Sequence, residues 1–189
     1  MISDSAADHA SIRMAEFLKT KTLFRWDDPM LSESDTRSKL IDPLFRDVLG
    51  WNEAEIRREQ PVERGFADYV LGAEASYLLV EAKRTHPRFR IQAPGRARNL
   101  LLSGPHLLGQ KKLKPFILQA QKYAVSVGAQ CAILTNGSQY IIFKPFLPGR
   151  SWQTGNAIVF HEHEDIVQDF AFFFNLLCRE SVCAGRLLV

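Results

Sequence analysis

Three residues whose types and spacing could perform hydrolytic chemistry lie in two neighbouring apolar segments. Asp68 lies within residues 65–71, and Glu81 and Lys83 close residues 77–84. The composition of both segments predicts two strands joined by a tight turn. Because side chains alternate along a strand, Glu81 and Lys83 must point to the same face. Two carboxylates could bind a hard divalent cation, and the ammonium could steady negative charge that develops on an attacked phosphate.

The same three residues also have a purely structural interpretation. A Glu-x-Lys pattern at the end of an apolar strand often marks the boundary with solvent, and an aspartate in a strand can begin a bulge or bond a turn. Short motifs of this kind have many false positives. The elements on either side of the two strands therefore decide between the interpretations.

An amphipathic helix is predicted upstream, over residues 33–49. Apolar residues recur along it at helical spacing, and Gly50 is well placed as a C-terminal cap. Ser32 and Asp35 have the spacing of a capping box at its start. Pro43 removes a backbone donor in the middle of the pattern, so we expect a kink there.

A second helix is predicted downstream, over residues 113–127. It should lead to a strand over residues 130–135 that pairs in parallel with the strand of Glu81. The Asn-Gly dipeptide that follows predicts a hairpin to a strand over residues 139–145.

The remaining segments complete a single α/β fold. The further predicted elements are a helix near 8–20, antiparallel strands near 55–62, 65–71 and 76–83, a strand at 157–161 and a Phe-rich helix over 166–178. An apolar stripe on that last helix is most simply core or a docking face. The predicted fold class is α/β with a mixed β-sheet flanked by helices, in a domain over residues 33–189 that follows a helical extension over residues 1–32.

In their order and spacing, these segments resemble the PD-(D/E)xK nuclease superfamily, and within it the amino-terminal nuclease domain of the motor subunit of type I restriction enzymes. The resemblance covers about residues 33–146. The pieces that carry it are the acidic helix start, Leu-Gly-Trp at 49–51, Ala-Asp-Tyr-Val-Leu at 67–71, Val-Glu-Ala-Lys-Arg at 80–84, Gln119-x-x-x-Tyr123 and Leu-Thr-Asn-Gly at 134–137. The resemblance implies a restriction-endonuclease-like core.

The resemblance also implies roles for individual residues. Asp68 and Glu81 match the two metal-binding acids, and the carbonyl of Ala82 would be an additional ligand. Lys83 matches the lysine that positions or activates the attacking water. Glu33 matches an acidic residue that many members place on the first helix near the metal, although a first-turn carboxylate also suits the helix dipole by itself. The implied cofactor is Mg²⁺ or Mn²⁺.

Two further positions are implied on the second predicted helix. Gln119 and Tyr123 match a helix motif that supports the site and contacts substrate in type I restriction and related recombination nucleases. Gln121 competes with Gln119 for this role, and a tyrosine on an amphipathic helix is often half-buried core. Ala67 stands where the superfamily name has proline, a departure that leaves the expected metal site intact.

Basic residues are concentrated in the middle of the chain. No Asp or Glu lies between Glu81 and Glu162, and this interval holds 12 of the 24 Lys and Arg residues. We therefore expect a positive face, without local acidic partners, that contacts nucleic-acid phosphates. The candidate phosphate-binding residues are Arg84, Arg88, Arg90, Arg96, Arg98, Lys111, Lys112 and Lys114. The long connection over residues 85–111 is expected to clasp substrate, the alternative being a solvated basic loop.

Several sequence features bear on the protein's surroundings. The chain begins without a charged and then apolar leader, and it has no apolar run long enough to cross a bilayer. Its three cysteines lie in apolar sequence without metal-site spacing, which indicates buried thiols. We expect a cytoplasmic protein without membrane contact.

The sequence thus predicts a Mg-dependent deoxyribonuclease that acts in restriction or other antiviral defence. No recognition helix or zinc module is visible, so a partner subunit or fused domain is expected to supply specificity or activation. A homo-oligomer is compatible with the sequence. The rival hypothesis is a catalytically silent nucleic-acid-binding or assembly module of the same fold, and RNA is a third alternative as substrate.

Overall fold

Seven strands form one mixed β-sheet at the centre of the fold. The computed structural model describes residues 4–21, 30–63, 65–72, 75, 77–87, 89–103 and 106–186 of the 189-residue chain. The strands are β1 (Ile56–Val62), β2 (Gly65–Leu71), β3 (Leu78–Ala82), β4 (Asn99–Leu101), β5 (Cys131–Thr135), β6 (Tyr140–Phe143) and β7 (Asn156–Phe160). Their order in the sheet is β1-β2-β3-β5-β6-β7-β4. The β3–β5 pair is parallel and the other pairs are antiparallel, as the sequence predicted for the strands around Glu81.

Helices cover both faces of the sheet. They are α1 (Asp4–Lys21), a helical segment over residues 33–48 that we call α2, α3 (Lys114–Ser126), α4 (His163–Gln168), α5 (Phe170–Leu177) and α6 (Arg179–Cys183). Residues of α1, α2, α5 and α6 share one hydrophobic core, and α3 packs in a second core on the opposite face. None of the helices in the described part of the chain is long and apolar enough to cross a bilayer.

Side chains along β3 alternate between the two faces of the sheet, as predicted. Val80 and Ala82 are buried in the core beneath α1 and α2, whereas Leu79 is buried in the core beneath α3. Glu81 and Lys83 continue the series of Leu79 and therefore share the face covered by α3.

Helix α2 begins and ends as its sequence predicts. The Ser32 hydroxyl accepts a hydrogen bond from the Asp35 backbone N–H at 3.0 Å, and the Asp35 carboxylate accepts one from the Ser32 N–H at 3.2 Å. Gly50 follows the helix with a φ of +76°. The irregularity expected at Pro43 takes the form of two π-helical segments, Arg37–Ile41 and Leu44–Val48, on either side of it. These wider turns accommodate the missing N–H of the proline without ending the helix.

The segment 85–111 differs from the long open connection that was expected. It contains β4, which pairs with β7 at the edge of the sheet, and Leu100, Leu102 and Leu107 are buried in the core beneath α3. Periodicity could not reveal so short a strand, because three residues are too few to establish alternation.

The C-terminal region also departs in detail from the prediction. The Phe-rich helix is divided into α4 and α5, and its apolar stripe is core: Phe170, Phe173, Phe174 and Leu177 are buried. The expectation of three buried thiols is wrong for Cys183, which is exposed, while Cys131 and Cys178 are buried. Cys183 is the last residue of α6.

The hairpin between β5 and β6 brings Gly137 against α2. Gly137 has a φ of +85°, and a Cβ atom there would lie 2.7 Å from Cδ1 and 3.1 Å from Cβ of Leu40. We expect Gly137→Ala to lower the free energy of unfolding by about 2 to 4 kcal/mol, combining backbone strain with overpacking. Urea unfolding measures the loss.

Gly149→Ala is the matched control for that substitution. Gly149 has a similar φ of +72°, but a Cβ atom there would meet nothing within 4 Å. It should therefore show the backbone cost alone, about 1 to 2 kcal/mol. Equal losses in the two variants would show that a Cβ atom at position 137 is accommodated without cost against Leu40.

Candidate active site

Asp68 and Glu81 come together where β2 and β3 stop pairing. The ladder ends at the pair Tyr69 and Val80. One residue further, the Asp68 carboxylate accepts a hydrogen bond through Oδ2 from the backbone N–H of Ala82 at 2.8 Å. A side chain here satisfies a backbone donor that a paired strand would otherwise satisfy. The two strands therefore separate at the acidic residues.

Glu81 is a buried carboxylate with one satisfied oxygen. Its Oε1 accepts a hydrogen bond from Nζ of Lys83 at 2.6 Å. The residue is only 2% exposed, and Oε2 has no hydrogen-bond partner within the described ranges of the chain. Burial raises the pKa of Glu81 to about 7; the negative charge of Asp68 acts in the same direction, and Lys83 opposes both.

Arg37 and Glu59 extend the site on the other side of Asp68. Nη1 of Arg37 donates to Oδ1 of Asp68 at 2.9 Å and also pairs with Glu59. Burial raises the pKa of Asp68, while the Ala82 N–H and the Arg37 charge counteract that rise. Glu59 has a φ of +49°, which is unusual for a residue other than glycine and marks a local irregularity in β1.

Sequence reasoning missed both Arg37 and Glu59. The available signal for Arg37 was its position four residues after Glu33, which places the two side chains on neighbouring turns of one helix. No pattern in the sequence indicates the positive φ of Glu59, because glutamate is not a residue that favours it.

Glu33 lies at the start of α2 beside the pair formed by Glu81 and Lys83. Together with Lys83 it lines a cavity of about 330 Å³. Its charge contributes to the raised pKa of Glu81, which places the two carboxylates within electrostatic range of each other. The fold thus brings the predicted acids of α2, β2 and β3 to one region.

Tyr123 packs α3 against the sheet, and Gln119 contacts it from the preceding turn of the helix. The Gln119 amide donates to the Tyr123 hydroxyl at 3.4 Å, and a Cβ atom on Gly65 would lie 2.6 Å from that hydroxyl. Tyr123 is buried at the start of β2, the strand that carries Asp68. Gln121 instead donates to the backbone carbonyl of Pro145 at 3.1 Å. Tyr123 therefore supports β2, whereas Gln121 contacts a different part of the fold.

Two of the predicted phosphate-binding residues have acidic partners. Nη2 of Arg96 lies 2.9 Å from Oδ1 of Asp165. Arg98 pairs with Asp169, and its guanidinium carbon lies 5.1 Å from the centre of the Phe160 ring. The expectation of a basic segment without acidic partners is therefore wrong for Arg96 and Arg98. The sheet brings residues about 70 positions apart into contact because β4 pairs with β7.

The other predicted phosphate-binding residues are more accessible. Arg84 is exposed at the rim of the cavity beside Lys83. Exposed side chains are also found at Arg90, Lys111, Lys112 and Lys114. Arg88 lies outside the described residues.

The carboxylates of this region fit a hard divalent cation. Glu81 offers an oxygen without a hydrogen-bond partner in the described part of the chain. Each oxygen of Asp68 accepts a hydrogen bond, one from Arg37 and one from Ala82, and has a further lone pair for a cation. Across the residues with described positions, no group of three or more His, Cys, Asp or Glu side chains converges as a complete metal cage. Mg²⁺ commonly binds through one or two carboxylates and completes its coordination with water and substrate phosphate, so two carboxylates suffice.

Comparisons with known protein families, with curated proteins and with solved structures found no significant match to this chain. Its function must therefore be inferred from the chemistry of these residues.

Proposed function

We propose that this protein is a metal-dependent nuclease that hydrolyses DNA phosphodiester bonds, built on a restriction-endonuclease-like core. The observation that carries the proposal is the buried Oε2 atom of Glu81, which lacks a hydrogen-bond partner in the described part of the fold. A buried polar atom without a partner costs free energy. A cation bound by Glu81 and Asp68 would offset that cost and give the atom a function.

Each residue of the site has a distinct role in the proposed reaction. Asp68, Glu81 and the backbone carbonyl of Ala82 would hold Mg²⁺ or Mn²⁺, with Glu33 facing them from α2. The bound ion would polarise the phosphate and lower the pKa of the attacking water. Nζ of Lys83, held 2.6 Å from Glu81, would donate to the phosphate oxygen on which negative charge develops.

Arg37 and the accessible basic residues contribute positive charge around the proposed metal site. Arg37 donates to the Asp68 carboxylate and favours its charged form, which counteracts the rise in pKa that burial causes. Arg84 and Lys114 offer positive charge to the DNA backbone near the site. Tyr123, whose hydroxyl accepts from Gln119, supports the start of β2 from α3.

The proposed setting is restriction or other antiviral defence in the cytoplasm. A nuclease without restraint would cut the DNA of its own cell. We therefore propose that a partner subunit or fused domain activates the site and supplies sequence specificity.

A catalytically silent nucleic-acid-binding or assembly module is the second candidate. The observation in its favour is that both oxygens of Asp68 already accept hydrogen bonds, from Arg37 and from Ala82. In such a module, these contacts would stabilise the fold in place of a metal. Metal binding distinguishes the two candidates.

Asp68→Asn tests the nuclease directly. The amide keeps an oxygen for the Ala82 N–H but loses the charge, so we expect cleavage to fall at least about 100-fold and Mn²⁺ binding to weaken. Cleavage of supercoiled, linear and single-stranded DNA with Mg²⁺ or Mn²⁺, together with calorimetric titration of Mn²⁺, measures both effects.

Asp47→Asn is the matched control, because Asp47 is an exposed carboxylate on α2 that pairs with Arg46. It should retain both activities. Metal-dependent cleavage that survives Asp68→Asn would refute the proposed site. A wild-type protein that neither cleaves nor binds metal would be the silent module, whereas metal binding without cleavage would indicate a site that awaits its activator.

A further inference from the structure

The cavity beside Lys83 combines aromatic walls with positive charge. Its apolar walls are Pro87, Phe89 and Phe116, and its volume is about 330 Å³. Lys83 and Arg84 line the same cavity, and Nζ of Lys83 lies 5.4 Å from the centre of the Phe116 ring. The cavity therefore opens directly beside the ammonium that we place on the attacked phosphate.

The aromatic wall is held in position by a buried glutamine. Oε1 of Gln139 accepts a hydrogen bond from the Phe89 N–H at 2.7 Å, and its Nε2 donates to the Phe89 carbonyl at 3.1 Å. Gln139 is 5% exposed, and its Nε2 also donates to the His161 carbonyl at 2.9 Å. The backbone of Phe89 is thereby tied to the β5–β6 hairpin, and its ring lies 6.3 Å from the Phe116 ring between centres. A surface ordered before binding loses little conformational entropy when a ligand docks.

The chemistry of the walls matches a nucleotide with an accessible base. Aromatic rings stack on the faces of bases, and adjacent cations bind the phosphates. In an intact duplex each base is stacked and paired, so its face reaches a protein pocket only when it is extruded, frayed or single-stranded.

We propose that this cavity binds the base of an unpaired nucleotide next to the phosphate held at the candidate active site. The inference rests on the proposed nuclease function, and it narrows the substrate to DNA with a single-stranded, flapped or frayed segment. Phe89 is the stacking residue, and Arg84 contacts a neighbouring phosphate.

Binding without cleavage tests the inference. In buffer with EDTA, fluorescence anisotropy would compare a single-stranded DNA oligonucleotide with an abasic oligonucleotide of the same length and charge, and with the duplex. We expect the wild type to bind the single strand more tightly than the other two. Phe89→Ala should weaken binding of the single strand by about tenfold or more and leave binding of the abasic strand unchanged.

Three further variants complete the test. Phe89→Leu keeps an apolar side chain of similar reach without an aromatic face and should behave like Phe89→Ala, whereas Phe89→Trp should retain binding. Phe146→Ala, which removes an exposed ring that does not line the cavity, should bind as the wild type does. Urea unfolding of each variant checks that the fold is intact.

The outcomes separate this inference from the nuclease proposal. Equal affinities for the single strand and the abasic strand, or wild-type behaviour of Phe89→Leu, would overturn the stacking site. If the protein cleaves duplex DNA and its affinity for DNA does not depend on Phe89, the nuclease proposal stands and the stacking site is refuted. Binding that depends on bases and on Phe89, in a protein that neither cleaves DNA nor binds metal, would support the stacking site and refute the nuclease.

Discussion

Glu81→Gln is expected to stabilise the metal-free protein at pH 8 by about 3 kcal/mol while abolishing its response to Mg²⁺. Burial raises the pKa of Glu81 from its ordinary value of 4.5 to about 7 in the folded state. A raised pKa means that the contribution of Glu81 to stability is fully present below pH 4.5 and is lost as the pH rises through 7. Each pKa unit corresponds to about 1.36 kcal/mol, so the rise from 4.5 to about 7 makes the ionisation of Glu81 in the folded protein cost about 3 kcal/mol at pH 8. The neutral glutamine avoids this cost.

Urea unfolding of both proteins from pH 4.5 to pH 8.5 measures that effect. The two free energies of unfolding should be similar at the acid end and diverge as the pH rises, with the variant the more stable. At pH 8, added Mg²⁺ should stabilise the wild type, because it binds the folded state, and should leave Glu81→Gln unchanged. If the free energies of unfolding of the two proteins changed with pH in parallel, the ionisation of Glu81 in the folded state would cost little free energy and this prediction would be wrong.

Glu55→Gln is a control for which we expect the opposite change in stability. Glu55 is also buried, but hydrogen bonds from Arg179 at 2.6 Å hold the pKa of its carboxyl below the ordinary value. Its contribution is present above its ordinary pKa and is lost as the pH falls. Glu55→Gln should therefore destabilise the protein at pH 8, and the difference from the wild type should shrink in acid.

Lys83→Met is expected to reduce the cleavage rate by about 100-fold to 10,000-fold without weakening Mn²⁺ binding. Methionine keeps an apolar stem against the Phe116 ring but removes the ammonium that would donate to the developing charge on the phosphate. Loss of a positioned donor or proton-transfer group commonly costs this much in rate. Single-turnover cleavage kinetics and calorimetric titration of Mn²⁺ measure the two properties separately.

Lys19→Met provides the matched control, because Lys19 is an exposed lysine on α1, which packs on the opposite face of the sheet from α3. It should cleave at the wild-type rate. If Lys83→Met lost metal binding together with cleavage, Lys83 would act by holding Glu81 in place and not on the phosphate. Unchanged cleavage in Lys83→Met would remove lysine from the mechanism altogether.

Local patterns were sufficient for most elements near the site. The capping box at Ser32 and Asp35, the Asn-Gly hairpin after β5 and the faces of β3 were all predicted correctly. Each of these features depends on residues within a few positions of one another, and such short-range geometry follows directly from backbone chemistry. The parallel pairing of β3 with β5 followed from the helix between them.

Longer-range features escaped prediction because they depend on which strands become neighbours. β4 was missed, and the ion pairs of Arg96 and Arg98 with the acids around α4 exist only because β4 pairs with β7. The contact between Arg37 and Asp68 likewise joins residues 31 positions apart. Local sequence places Arg37 one turn after Glu33 but contains no signal that it reaches Asp68.

The sequence by itself determined the chemical types available to this protein, namely two strand carboxylates, a lysine beside one of them and an excess of positive charge in the middle of the chain. It also determined that Glu81 and Lys83 share a face, because alternation is a property of any strand. Only the tertiary structure decided that Glu81 is buried with one oxygen unpartnered among the described residues, that Arg37 engages Asp68 and that Phe89 lines a cavity beside Lys83. Burial and long-range contacts set the protonation, the charge balance and the shape of the site, and all three arise from the packing of helices and strands that are distant in the chain.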